Sequence, residues 1–152
     1  MSGFLLDTNI PSESWRASPA SHVAAWLRSQ VKAAQFISVV TVGELRKGAI
    51  LLPPCAKRTQ IEYSIEVLIP AWFGRRVLPV TQMIAERWGA LDAQRQQIGR
   101  PLGVADGMIA ATALEHGLTL VTRNVKDFAS LGCRLASNEQ PRRCAGLRHS
   151  RQ

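Results

Sequence analysis

Four acidic residues stand where apolar runs stop or helical patterns begin. Asp7 closes the run FLL, Glu44 lies in SVVTVGEL, Asp106 in GVADGMIAATA and Asp127 in VTRNVKDF. The chain of 152 residues carries 19 Lys+Arg against 11 Asp+Glu. Setting those four aside leaves 7 acids against 19 cations. Clustered carboxylates hold hard divalent ions that activate water. A cationic surface draws in a phosphate backbone. Together they are what a metal-dependent nuclease requires.

Each acid also has an ordinary structural role open to it. Asp7 fits an Asx-turn or a helix N-cap. Glu44 has capping-box spacing from Thr41. Asp106 complements a helix dipole, and Asp127 reads as an exposed helix acid. Convergence argues for chemistry instead, because four like charges at one place repel unless a cation bridges them. A carboxylate at the end of a buried strand, as at Asp7, needs a partner or a metal. Thr8, Asn9, Thr41, Thr122 and Asn124 are polar neighbours able to orient water or carboxylates. Capping is the reading for Thr41 and Asn9. Arg46, Lys47 and Arg123 offer phosphate contacts, with Arg123 beside the proposed site.

The elements that must carry these residues alternate. Residues 4–6 read as a short buried strand, and 36–40, apolar and β-branched, as a second. Residues 21–31 place Val23, Trp26 and Leu27 on one helical face. Thr41 caps a helix that runs to about Leu52, before the breaker Pro53-Pro54. Residues 60–72 carry Ile61, Ile65, Leu68 and Ile69 as a helical stripe. A brief strand spans 77–80. Thr81 caps a helix over 83–97 that turns Ile84, Trp88 and Leu91 inward. A loop at 99–103 leads to an Ala-rich helix over 104–115 ending at Gly117. A strand at 118–122, a short helix at 124–131 and a weak strand at 134–136 follow. This alternation predicts an α/β fold with a parallel sheet covered on both faces. The functional crevice of such a sheet lies at the carboxyl ends of its strands, where Asp7, Glu44, Asp106 and Asn124 would meet.

Composition narrows the alternatives. Apolar residues at 46% and charged residues at 20% fit a globular domain. No run approaches the roughly 18 to 20 apolar residues of a membrane span. MSGFLLDTN lacks a basic n-region and an apolar h-region, so the chain is expected in the cytoplasm. Cys55, Cys133 and Cys144 form no C-x-x-C pair, and His22, His116 and His149 show no ligand spacing, which argues against disulfides and zinc. His116 fits a cation at a helix C-terminus. The net charge is +8. From Asn138 onward Arg142, Arg143, Arg148 and Arg151 face only Glu139, so part of the excess sits in a tail with little apolar content, expected to be disordered. Trp15, Trp26, Trp72 and Trp88 are not interleaved with basic residues, which favours packing over base stacking. Phosphate-loop, dinucleotide and serine-hydrolase motifs are absent. A metal-dependent phosphatase would need an Asp-x-Asp pair, whereas Thr8 and Asn9 follow Asp7.

LLDTN, SVVTVGELRKG, ADGMIAATA and LVTRNVKDF, in that order, resemble the four motifs of the PIN-domain family, in its VapC-type, FitB-like toxin branch. The resemblance covers roughly residues 3–136. It implies a three-layer α/β/α fold with a central, mostly parallel sheet over 1–137, followed by the basic tail at 138–152. It implies a toxin endoribonuclease of a type II toxin–antitoxin pair, hydrolysing RNA with Mg²⁺ or Mn²⁺. Asp7, Glu44 and Asp106 match the family's three core acids. The fourth position is open between Asp127, which has charge, and Asn124, which stands nearer the strand end. Thr8 and Thr122 match frequent polar neighbours of the family's site. A homodimer and a cognate VapB-like antitoxin, itself binding operator DNA, are the implied partners, with no membrane. The alternative is a non-catalytic RNA-binding or regulatory PIN-like module.

Overall fold

Three short apolar segments form the centre of the molecule because each is covered on both sides. The computed structural model describes residues 3–8, 25, 26 and 28–136. In β1 (Phe4–Leu6), successive side chains alternate between faces. Leu5 joins one core with Ile109, Ala110, Ala113, Leu118, Leu120 and Phe128. Leu6 joins a second core with Ile37, Leu45, Ile69, Phe73 and Val121. Leu120 and Val121 divide in the same way. Strands buried on both faces read as unbroken apolar runs, and two cores flanking one sheet make three layers.

The sheet has five parallel strands in the order β3-β2-β1-β4-β5, with β2 at Gln35–Ser38, β3 at Val77–Leu78, β4 at Thr119–Val121 and β5 at Leu135–Ala136. β1 pairs with β2 through Phe4 and Gln35, and with β4 through Phe4 and Thr119. The strand order therefore reverses direction about β1. The carboxyl ends of β1 and β4 flank the switch point at which such sheets form their crevice.

The helices are α1 (Val39–Leu51), α2 (Ala56–Tyr63), α3 (Ile69–Trp72), α4 (Gln82–Gln97), α5 (Val104–His116) and α6 (Val125–Phe128). A π-helical segment, Ser64–Leu68, joins α2 to α3. Thr81 caps α4 as expected, its Oγ1 accepting the Ile84 N–H at 3.3 Å. Gly117 ends α5 at φ 63°, the left-handed conformation that glycine adopts without a side-chain clash.

Several boundaries depart from the sequence expectation. β2 stops at Ser38, and α1 begins at Val39 in place of a strand through Val40. The Ser38 hydroxyl accepts the Val40 N–H at 3.0 Å and so takes the N-cap role expected of Thr41. Capping overrides the strand preference of Val39 and Val40. The second helical stretch starts at Ala56, after Pro53-Pro54, and not at Gln60. β3 is two residues long, and α6 spans only Val125–Phe128 of the expected 124–131. Of the helix expected over 21–31, residues 25, 26, 28 and 29 are helical. Asn9, Trp15, His22, Val23, Leu27, Cys144, His149 and the tail from 138 lie outside the described residues. Among the described residues no helix is long and apolar enough to cross a membrane.

Candidate active site

Asp7 leaves β1 at the switch point with 3% of its surface exposed. Its backbone N–H donates to the Val121 carbonyl at 2.9 Å, which extends the β1–β4 ladder past the strand ends. The Thr122 hydroxyl donates to one carboxylate oxygen at 2.8 Å. The Thr8 N–H donates to the other, also at 2.8 Å. Thr122 Oγ1 in turn accepts the Asn124 N–H at 3.0 Å. One hydroxyl thus orients the carboxylate and fixes the turn that leads into α6.

Burial pushes the Asp7 carboxyl above its ordinary pKa. The two hydrogen bonds pull it down, and the Glu44 charge adds to the rise. Asp106, half-buried in the first turn of α5, is also raised. Desolvation is the largest cause, followed by the charges of Asp7, Asp127 and Glu44. The four acids expected to converge therefore share one electrostatic neighbourhood. Glu44 is half-buried on α1, freed from the capping box because Ser38 caps that helix. Asp127 is exposed on α6. Its charge is felt at Asp106, whereas the neutral amide of Asn124 adds no charge to the ring.

Local sequence places Asp106. Gly103 occupies the N-cap of α5 without a capping side chain, and a β-carbon there would lie 3.9 Å from Asp106 Oδ2. The carboxylate has the helix N-terminus to itself, where its charge is favoured. Gly107 follows at once, and a β-carbon built on it would come within 2.6 Å of Trp88 Cδ1. The indole of α4 packs against that bare backbone and fixes α5 one residue from its acid. Arg123 is exposed beside the site. Arg46 pairs with Glu66 at 3.3 Å, both side chains exposed. Thr41 is the residue that sequence reasoning placed wrongly. It lies inside α1, fully buried, and its Oγ1 has no hydrogen-bond partner.

The chain belongs to the PIN-domain family, whose model matches residues 4–132. Its relatives narrow the branch. A VapC ribonuclease of Sinorhizobium fredii is 37% identical over 138 residues, 90% of this chain and 98% of that protein. The toxin FitB of Neisseria gonorrhoeae is 37% identical over 124 residues, 82% of this chain and 89% of that protein. The crystal structure of FitAcB from Neisseria gonorrhoeae aligns with a TM-score of 0.81 at 34% identity, covering 90% of this chain and 99% of that one. PIN-domain ribonucleases as a class depend on divalent metal.

The donor set here fits such an ion. It is all oxygen and mostly anionic, and the mutual repulsion that raises Asp106 is what a cation relieves. Even so, among the described residues no three Asp, Glu, His or Cys side chains form a ready-made ion-holding group. A Mg²⁺ ion held here would keep several of its waters, so the carboxylates need not all touch it.

Proposed function

We propose that this chain is the toxin endoribonuclease of a type II toxin–antitoxin pair, and that its acid ring hydrolyses RNA phosphodiester bonds. The observation that supports it most is the coupling of Asp7, Glu44, Asp106 and Asp127 at the carboxyl edge of the sheet. Asp7, Glu44 and Asp106 would hold Mg²⁺, with Mn²⁺ as a substitute. Asp127 completes the ring, and Asn124 stands behind it. A bound divalent ion supplies a water of lowered pKa and neutralises charge building on the phosphate. Thr122 and Thr8 hold the Asp7 carboxylate in one orientation, so little reorganisation is needed. Glu44 or Asp106, half-exposed, is placed to accept a proton from the attacking water. Arg123 and the surplus cations hold the RNA backbone. Products carry 5′-phosphate and 3′-hydroxyl ends.

The partner follows from the relatives and from charge. A carboxylate ring without its metal attracts a guanidinium, which binds two carboxylates in a fork. A VapB-like antitoxin would place an Arg there, an amphipathic helix in a neighbouring groove, and its other end on operator DNA. Homodimerisation and a cytoplasmic setting belong to the same reading, as does one PIN domain over 1–137 followed by a basic tail.

Among the described residues no three acids form a ready-made ion-holding group, and this observation favours the alternative, a non-catalytic RNA-binding module. The deciding experiment incubates the purified full chain with RNA in EDTA and after Mg²⁺ or Mn²⁺ add-back. Metal-restored cleavage leaving 5′-phosphates supports the nuclease. RNA binding without cleavage at any metal concentration supports the module.

A further inference from the structure

Hydroxyls inside helices ordinarily donate to a carbonyl one turn earlier. Among the described helical Ser and Thr residues of this chain they do so with one exception. Thr112 Oγ1 donates to Met108 O at 2.7 Å, Ser64 Oγ to Gln60 O at 2.8 Å and Thr59 Oγ1 to Cys55 O at 3.2 Å. Ser29 Oγ donates to Trp26 O at 2.6 Å. Thr41 is 0% exposed, and its Oγ1 has no partner. The residue four before it, Ile37, lies in β2 and not in the helix. A buried hydroxyl left unpaired is disfavoured and calls for an explanation.

Its position supplies one. Val40 packs against the core on one side of the sheet and Val42 against the core on the other. Thr41, between them, stands in the first turn of α1, three residues past the carboxyl end of β2. On α1, Glu44 follows three residues later and Leu45 four, so all three share a face. Leu45 shares a buried core with Leu6, the residue before Asp7. The unpaired hydroxyl therefore lies in the first turn of α1, one turn before Glu44 on the same helix, and has no structural bond to lose.

We infer that Thr41 is a positioning residue of the active site, whose hydroxyl donates to the Glu44 carboxylate, directly or through one water, when the acids hold a divalent ion. This role rests on the nuclease reading above. It explains why a polar residue occupies a fully buried place that valine would fill at equal volume. A hydroxyl behind a ligating carboxylate fixes its orientation, and loss of such a support typically weakens metal affinity or activity by about 10- to 100-fold.

The test compares the full chain with Thr41→Val, Thr41→Ser and Asp7→Asn. Mn²⁺ affinity is read by electron paramagnetic resonance, and metal-free melting is measured alongside. Thr41→Val should weaken Mn²⁺ binding about tenfold or more while its metal-free melting temperature holds or rises, because the unpaired hydroxyl is gone. Thr41→Ser should bind within about threefold of wild type, a small part of that support. Wild-type Mn²⁺ affinity in Thr41→Val, with binding lost in Asp7→Asn, would overturn the Thr41 role and leave the nuclease standing. Equal weakening in Thr41→Ser and Thr41→Val also overturns it, since shape and not the hydroxyl would then matter. If wild type itself binds no Mn²⁺, the nuclease reading fails and the Thr41 role with it.

Discussion

Asp7 and Asp127 both bear on the Asp106 carboxyl, yet they are held in opposite ways. Asp7 is buried at a strand end, and both of its oxygens accept hydrogen bonds from Thr122 and Thr8. Asp127 is exposed on the four-residue α6, which the Asn124 side chain does not cap. One carboxylate is fixed by the sheet and one is carried on a surface turn. The Asp7 carboxylate is thus oriented in advance by its two hydrogen bonds, the condition under which a site needs little reorganisation.

The largest effect should come from the core of the ring. Asp7→Asn, Glu44→Gln and Asp106→Asn should each lower RNA cleavage about a thousandfold or more, the scale of several kcal/mol of metal-supplied stabilisation. Circular dichroism should show the fold retained. Full activity in any two of the three would break the assignment.

Thr122→Val comes next. It removes a buried hydrogen bond to a carboxylate and leaves the Asn124 N–H without its acceptor. Urea unfolding should show a loss of about 1.5–3 kcal/mol, and cleavage should fall about 10- to 100-fold. If stability falls while the rate of the folded fraction is unchanged, orientation of Asp7 does not matter.

Asp127→Asn should cost about tenfold in apparent metal affinity, at the lower end for a group near a metal. It should leave stability within about 0.5 kcal/mol, as for an exposed site. Asn124→Ala should weaken metal less. The reverse order in a Mg²⁺ titration would make Asn124 the fourth ligand.

The smallest effect concerns the metal-free protein. The Asp106 carboxyl is raised above its ordinary 3.8 by burial first and by the charges of Asp7, Asp127 and Glu44 next. The folded state thus holds that proton more tightly than the unfolded chain does. Its contribution to stability is fully present below pH 3.8 and is lost as pH rises through the folded-state pKa. Asp106→Asn should therefore gain on wild type as pH rises from acid toward neutral. The gain should be about 1 kcal/mol at most, because solvent screens a half-exposed group. Paired urea midpoints in EDTA across pH check the sign.

Where local rules suffice, the sequence was readable. Thr81 caps α4, Gly117 ends α5, and the apolar run before Asp7 is the central strand. The two-faced burial of that strand and the alternation of elements were enough for the layers and the parallel sheet. The start of α1 was misread because Val39 and Val40 look like strand, and only the reach of the Ser38 hydroxyl decides otherwise. The π-helical turn over Ser64–Leu68 has no local signature in the stripe Ile61, Ile65 and Leu68. The bond from Thr122 to Asp7 joins residues 115 apart in sequence and depends on the pairing of β1 with β4. The isolation of Thr41 Oγ1 was hidden for the same reason as the cap, since a residue assigned to cap a helix is not suspected of lacking a partner.

The most direct test soaks crystals of the full chain with Mn²⁺ and locates the ion by its anomalous signal. A peak within direct ligating distance of carboxylate oxygens of Asp7 and Asp106, absent in Asp7→Asn, is the expected result. Mn²⁺ bound only elsewhere, with metal-dependent cleavage intact in solution, would contradict hydrolysis by this ring.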